Sequence, residues 1–119
     1  DCGNVQLEEA RILMKAYCQA GKALGLSHQA QAKILGIHCS TFSRNAQKGF
    51  ASKPKVCELQ LHFVSLYQSL YAIAGGDKGV MQHWFHTYNR TLKGIPAQQC
   101  NSVQGLLRSA QYLGALQHH

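Results

Sequence analysis

The sequence predicts an all-α fold, in which an N-terminal helix-turn-helix bundle packs with a C-terminal helical subdomain. Three observations support this prediction. Apolar residues recur at steps of three and four rather than two, capping residues and glycines separate the apolar segments, and hydrophobic residues make up 45% of the 119 residues. The polar stretch 51–55 is the best candidate for a junction, so we divide the chain into regions 1–54 and 55–119.

The first predicted helix spans Val5 to Leu24. Its apolar side chains follow helical spacing, and Gly25 is a natural C-terminal stop. We expect the buried stripe of this helix to consist of Val5, Leu7, Ile12, Leu13, Met14, Ala16, Tyr17 and Ala20.

Two short helices are predicted next, over 28–35 and from residue 38 or 39 to about residue 47. Ser27 can cap the first of them, because its hydroxyl can accept from a free backbone N–H of the first turn. Gly36 ends the first helix and Gly49 ends the second.

Longer apolar segments fill the second half. A helix is predicted over 55–74, a second one is capped by Asp77, and a last one is capped by Ser102. A loop over 89–95 and a short turn that begins at Pro96 precede the last helix. The predicted seam of the 55–74 helix is Leu59, Phe63, Leu66, Leu70 and Ile73, and that of the last helix is Val103, Leu106, Leu107, Ala110, Leu113 and Leu116.

Positive charge is concentrated in the first half of the chain. The formal net charge is +7, and no acidic residue lies between Ala10 and Cys57. The first 55 residues carry eight positive and three negative charges, a net of +5, and the remainder carries a net of +2. A basic surface attracts polyanions because neutralised phosphates release their counterions. By charge alone, an ordinary soluble basic protein remains an equal alternative.

No pattern indicates an enzyme, a metal site or a cofactor. The five cysteines are scattered without a Cys-x-x-Cys pair, which is typical of reduced thiols. His83 and His86 could share a helix face, but no further ligands lie at zinc-like spacing. The sequence contains no nucleophile with a base at motif spacing and no Gly-rich phosphate loop. Without an apolar run of about 18 residues or a signal-peptide pattern, we expect a cytoplasmic protein that does not bind membranes.

The strongest local pattern joins the second and third predicted helices. Two short helices that cross steeply need a small residue where their backbones approach, and Ala32 supplies it. Gly36 permits the left-handed position that the turn between them needs. We expect Leu35, Ile37 and Phe42 to fill the angle between the helices, so that Ala32, Gly36 and Phe42 follow the spacing of a helix-turn-helix.

This geometry leaves one face of the third helix outside, where it can enter a major groove. Arg44 can pair with guanine and Gln47 with adenine, while Ser40 and Thr41 are expected to hold phosphates. The alternative is that Arg44 is simply solvated and that Cys39 is a small spacer. The predicted DNA-binding residues, with lysines on the flanking backbone, are Lys33, His38, Cys39, Ser40, Thr41, Ser43, Arg44, Gln47, Lys48 and Lys53.

This segment resembles the helix-turn-helix of Xre-type, phage-repressor-like regulators. The matching residues are Leu35-Gly36-Ile37 and Thr41-Phe42-Ser43-Arg44, in the family's form Leu-Gly-Ile/Val followed by Ser/Thr-x-Ser-Arg. His38 stands where a capping Ser or Thr is more usual. The resemblance implies that the helix pair binds double-stranded DNA.

The second half is similar to the toxin-binding region of the Xre/MbcA/ParS-type antitoxins. This resemblance implies an all-helical dimer that binds its own promoter and, in many members, a C-terminal domain that neutralises a RES-type toxin acting on NAD or by ADP-ribosylation. We expect Trp84 to anchor the core and the helix around 59–73 to serve as core or dimer seam. The matching residues are Gly75, Gly76, Asp77, Trp84, Asn89, Leu92, Gly94, Pro96, Val103, Gly105, Leu106 and Leu113.

The sequence thus favours a transcriptional regulator that binds specific DNA sequences. We expect a homodimer, because one short recognition helix reads too few base pairs to be selective. The alternatives are an antitoxin that neutralises a RES-type toxin and regulates its own operon, and a basic protein that binds nucleic acid without selectivity. Burial of Ser40, Ser43 and Arg44 in the protein interior would contradict the favoured function.

Overall fold

The computed structural model describes residues 2–118 of the chain, and side chains from residue 6 to residue 118. This part of the chain contains seven helices and no strand, apart from one isolated bridge between Asn89 and Gly94. The all-α prediction is therefore confirmed, and no helix in this part is long and apolar enough to cross a membrane. The helices are α1 Cys2–Ala23, α2 His28–Ile34, α3 Cys39–Arg44, α4 Pro54–Ala74, α5 Lys78–Phe85, α6 Pro96–Gln99 and α7 Val103–Gln117.

Local capping chemistry starts three of these helices where the sequence predicts it. The hydroxyl of Ser27 accepts a hydrogen bond from the N–H of Ala30 at 3.1 Å. The carboxylate of Asp77 accepts from Val80 at the same distance, and the hydroxyl of Ser102 accepts from the N–H of Gly105 at 3.0 Å. Each bond satisfies one backbone donor that a helix start leaves without an intrahelical partner.

Four aromatic rings connect the two halves of the molecule through one core. Phe42 of α3 meets Tyr17 of α1 with ring centroids 6.0 Å apart, and Tyr17 meets Phe63 of α4 at 5.3 Å. Phe63 in turn meets Phe85 of α5 at 6.0 Å, and all three contacts are edge-to-face, a favoured geometry for aromatic rings. Burial raises the pKa of the Tyr17 phenol above its ordinary value, and its protonated hydroxyl donates to the carbonyl of Gln31 at 2.7 Å.

A side chain of α5 and one of the residue that follows it bind the C-terminal end of α1. Nε2 of Gln82 donates to the carbonyl of Ala23 at 3.0 Å, and Nε2 of His86 lies 2.7 Å from the carbonyl of Leu24. Because a carbonyl can only accept, the His86 ring carries its proton on Nε2. These bonds satisfy carbonyls that the end of a helix leaves open, so α5 is fastened directly to α1.

A close backbone approach fixes the segment that follows α3 against α1. Gly49 has a φ of +77°, and a Cβ atom at this position would lie 2.3 Å from the carbonyl oxygen of Ala10. Any side chain would therefore clash with the backbone of α1 as well as strain its own. Glycine at position 49 is what allows α3 and α1 to lie in the same small unit.

Several predictions about which apolar residues are buried are wrong. Leu7 and Ile12 are 59% and 57% exposed, because α1 turns the face with Ala10, Met14 and Tyr17 towards its neighbours. Val5 lies outside the described side chains. The other exposed members of predicted seams are Ile73 at the end of α4, and Val103 and Leu116 at the two ends of α7.

Trp84 does not anchor the core as expected. It is only half-buried and packs against the core without being part of it, while Met81 and Phe85 are the buried side chains of α5. Met81 and Phe85 are four residues apart and so share one face of the helix, from which Trp84 is rotated.

Candidate DNA-binding face and partner-binding domain

The turn between α2 and α3 has the geometry that the helix-turn-helix pattern predicts. The N–H groups of Leu35 and Ile37 both lie 3.1 Å from the carbonyl of Ala32, which closes the end of α2. Gly36 follows with a φ of +70°, in the left-handed region that favours glycine. A Cβ atom at position 36 would meet nothing within 4 Å, so the conformation of the backbone rather than lack of space requires glycine here.

The orientation of α3 is set by Phe42, which is fully buried. Its ring packs on Tyr17 and also on the imidazole of His28, with ring centroids 5.8 Å apart. Because Phe42 faces inward, the rest of this short helix is open to solvent, and its exposed residues are Cys39, Ser40, Ser43 and Arg44. Ser40, Ser43 and Arg44 are therefore not packed in the interior.

His38 serves as the N-cap of α3. Its Nδ1 accepts a hydrogen bond from the backbone N–H of Ser40 at 3.2 Å, and the Ser40 hydroxyl lies 2.9 Å from the same nitrogen. Since the backbone N–H needs an acceptor, Nδ1 carries no proton and the hydroxyl donates to it as well. An imidazole thus replaces the more usual Ser or Thr, and the side chains of His38 and Ser40 hold each other at the start of the helix.

The predicted third helix is shorter than expected. α3 ends at Arg44, and Asn45 then closes it by donating from Nδ2 to the carbonyl of Thr41 at 2.8 Å. Gln47 is exposed but lies in the turn after α3 rather than on its face, and the half-buried Thr41 is less accessible than the serines. The structure therefore groups Ser40, Ser43 and Arg44 with Cys39 and leaves Gln47 at one end of this group.

The lysines predicted to flank the site are all exposed. Lys33 lies in the last turn of α2, Lys48 in the turn after α3, and Lys53 just before α4. Among the described side chains, the only ion pair joins Arg11 and Glu8. None of the cations near α3 is thus neutralised by a carboxylate within this part of the chain.

A tightly bonded loop leads from α5 towards α6. The N–H of Asn89 donates to the carbonyl of Gly94 at 2.8 Å, and Oδ1 of Asn89 accepts from the N–H of Leu92 at 2.9 Å. Nε2 of Gln99 donates to the carbonyl of Leu92 at 2.6 Å. The loop is therefore held at its base and from α6, and it lies where the sequence predicts a loop, over 89–95.

The exposed surface of residues 69–118 combines apolar and cationic side chains. Beyond Asp77, which caps α5, no acidic residue follows in the chain. Exposed apolar side chains of this kind are the ones that a protein partner can cover. The exposed large apolar side chains after residue 69 are Tyr71, Ile73, Val80, Tyr88, Val103 and Leu116, and the cations are Lys78, Arg90, Lys93 and Arg108.

Residues 69–118, from the end of α4 to α7, match the model of the antitoxin Xre/MbcA/ParS C-terminal toxin-binding domain. This part of the chain is therefore similar to the Xre/MbcA/ParS antitoxins, and we call residues 69–118 the Xre/MbcA/ParS domain. The resemblance predicted for the second half is thereby confirmed, and the Xre/MbcA/ParS domain includes the bonded loop and all six exposed apolar side chains described above. No curated protein matches the chain significantly.

Three residues that organise these surfaces were missed by sequence reasoning. Asn45 closes α3, Gln99 holds the loop, and Gln82 fastens α5 to α1. Asn is favoured at helix ends, which is a local signal for Asn45. Gln99 and Gln82 carry no comparable signal, because their partners are set by the packing of separate elements.

Proposed function

We propose that this chain is an antitoxin whose Xre/MbcA/ParS domain binds and neutralises a toxin, and whose helix-turn-helix binds the DNA of its own promoter. The observation that carries the proposal is the match of residues 69–118 to a toxin-binding domain. The exposed apolar and cationic side chains of this domain support it, since a protein partner would remove them from water. The antitoxin alternative thus takes precedence over a regulator that acts alone.

Co-expression tests the toxin-binding part of this proposal. The chain is expressed with the product of the adjacent gene, a RES-type toxin being the partner that the resemblance implies. We expect growth to be rescued and the two proteins to elute together in size-exclusion chromatography. NAD is also measured in these cells. If NAD is lost in cells that express the toxin alone and is restored when the chain is co-expressed, this identifies the toxin's activity. Growth arrest unchanged by the chain, without a shared elution peak, would contradict the proposal.

DNA binding is supported by a separate observation. The outer side of α3 presents Ser40, Ser43 and Arg44 to solvent within a stretch of chain that has no acidic residue. Short donors and acceptors beside a guanidinium suit the base edges and phosphates of a major groove. Selection of bound fragments from the host genome by the purified chain, in the cytoplasmic salt range, tests this function. We expect enrichment of one sequence motif near the chain's own gene.

We further propose a homodimer, in which two copies of α3 contact two half-sites. A groove of about 620 Å³ between α1 and α4, lined by Leu13 and Leu61 with Glu9 and Glu58 beside them, is one surface that a second copy could cover. Light scattering of the purified chain tests the dimer, and an enriched DNA motif with two-fold symmetry would support it independently. A monomeric mass at the concentrations that bind DNA would contradict it.

A further inference from the structure

The outer side of α1 carries a stripe of positive charge that the predicted DNA-binding residues do not include. Arg11, Lys15, Cys18 and Lys22 follow one another at steps of four, three and four residues, so they lie along one line of the helix. We call these four residues the α1 stripe. Its three cationic side chains are exposed, and Lys15 and Lys22 have no carboxylate partner among the described side chains.

Two grooves place the α1 stripe beside both ends of the helix-turn-helix. One groove, of about 790 Å³, lies between α1 and the turn after α3, with Lys15 on one side and Gln47 on the other. A second, of about 310 Å³, lies between α1 and the start of α2, with Lys22 facing Ser27. Cys18 and Gln19 line both grooves, so the concave surface continues along the middle of the stripe.

The dimensions and charge of this surface suit the backbone of a DNA duplex. From Arg11 to Lys22 the helix rises about 16 Å, at about 1.5 Å per residue. One DNA strand carries a phosphate about every 3.4 Å along the duplex axis, so the stripe is as long as about five phosphates. Continuity with both ends of the helix-turn-helix favours DNA over an acidic protein, since the turn after α3 directly follows the exposed Arg44 and the start of α2 packs on α3 through His28 and Phe42.

We propose that the α1 stripe binds the phosphates of the strand that flanks the groove contacted by α3. This inference rests on the DNA-binding function proposed above and extends the interface from α3 to α1. Phosphate contacts carry no base information, so the stripe adds affinity and orientation rather than sequence preference. Lys15 and Lys22 are the main contributors, because the Arg11 guanidinium is shared with Glu8.

The salt dependence of binding to a random-sequence duplex of about 30 base pairs tests this proposal. The double variant Lys15→Gln/Lys22→Gln keeps helix-favouring side chains and removes two charges. We expect the slope of log Kobs against log salt to decrease in magnitude by about 1.8, since each phosphate contact contributes about 0.9. Between about 50 and about 200 mM salt, the parent would then lose about tenfold more affinity than the double variant.

A matched control separates local contact from net charge. Lys78→Gln/Arg90→Gln removes two exposed charges from the Xre/MbcA/ParS domain and is expected to keep the parent's slope. Gln19→Glu, which places a carboxylate in both grooves, should weaken binding more than Gln98→Glu, an exposed position on α6. Circular dichroism checks that all variants keep the parent's helical content.

The results that would overturn the proposal are distinct. A parent-like slope in Lys15→Gln/Lys22→Gln, or an equal decrease in the control pair, shows that the stripe does not touch DNA. If Lys15→Gln/Lys22→Gln binds a poly-glutamate peptide more weakly than the parent does but binds the duplex equally well, the stripe is a site for acidic proteins instead. If the parent itself fails to bind the duplex, both the proposed DNA-binding function and the proposed role of the stripe are wrong. That result would not bear on the proposed toxin-binding function.

Discussion

The two halves of this molecule share a core but expose different chemistry. Around α3 the exposed side chains are short and polar or cationic, and no large apolar side chain is exposed between Leu24 and Gln60. The Xre/MbcA/ParS domain instead exposes six large apolar side chains, among them Tyr88 at 62%. The first surface suits a hydrated polyanion, and the second suits a protein whose own apolar surface can cover it.

Under the proposed function, this difference places the two binding activities on separate surfaces of one small fold rather than in separate domains. The aromatic contacts run from Phe42 through Tyr17 and Phe63 to Phe85 and join the two halves. The helices that carry the two surfaces therefore pack on the same core. A change in the core should therefore affect both functions, whereas a change on one surface should affect one function alone. The following predictions test that distinction.

The largest expected effect follows from Phe42→Ala. The ring is fully buried against Tyr17 and His28, and removing such a ring costs about 3–5 kcal/mol of unfolding free energy. We expect one cooperative transition at a lower denaturant midpoint, with toxin and DNA binding lost together. Ser43→Ala, on the exposed side of the same helix, should leave the midpoint within about 0.5 kcal/mol of the parent. Two separate transitions would show that the halves do not share a core.

A smaller effect, which reduces only the affinity for the protein partner, is expected from Tyr88→Ala. An exposed tyrosine that becomes the centre of an interface contributes about 2 kcal/mol or more, or at least about 30-fold in Kd. Calorimetric titration with the toxin measures this loss, and operator binding should stay unchanged. Leu7→Ala truncates a side chain of similar exposure, 59%, outside the Xre/MbcA/ParS domain and should alter neither. If Tyr88→Ala and Leu7→Ala reduced the affinity for the toxin equally, toxin binding would not be confined to the surface of the Xre/MbcA/ParS domain.

The converse effect is expected from Arg44→Ala. Loss of one bidentate base contact costs about 1–3 kcal/mol of discrimination, so operator affinity should fall by about 5–150-fold while random DNA is bound nearly as before. Helical content and toxin binding should not change, because the guanidinium is exposed. Arg90→Ala, in the Xre/MbcA/ParS domain, is the matched control. Parent-like operator affinity in Arg44→Ala would show that α3 is not the recognition helix.

Local sequence was sufficient to predict where most helices begin and end. Ser27, Asp77 and Ser102 cap helices at the predicted positions because a capping bond reaches only three residues along the chain. Gly36 adopts its left-handed conformation for a similarly local reason. The outward face of α3 followed from the inward position of Phe42, so its exposure could be predicted although its binding partner stays a prediction.

Tertiary packing determined what the sequence could not show. Periodicity does not say which neighbour covers an apolar side chain, and so Ile12 and Ile73 were wrongly assigned to buried seams. The bonds of Gln82 and His86 to the end of α1 join residues 59 and 62 positions apart, a separation at which no local pattern exists. Gln47 was misplaced because Asn45 ends α3 early.

The smallest expected effect tests the turn on which the exposed face of α3 depends. Gly36→Ala meets no steric neighbour, so its cost is the strain of an L side chain at a φ of +70°, about 1–2 kcal/mol. We expect a lower denaturant midpoint with an unchanged transition slope. Operator affinity should fall only to the extent that the turn between α2 and α3 opens in the folded variant. Gly114→Ala, also without a neighbour within 4 Å but inside α7, should be neutral or slightly stabilising, since alanine is the better helix former. Equal stability changes in the two variants would mean that the left-handed turn does not hold α2 and α3 in place, and the orientation of Arg44 would need another cause.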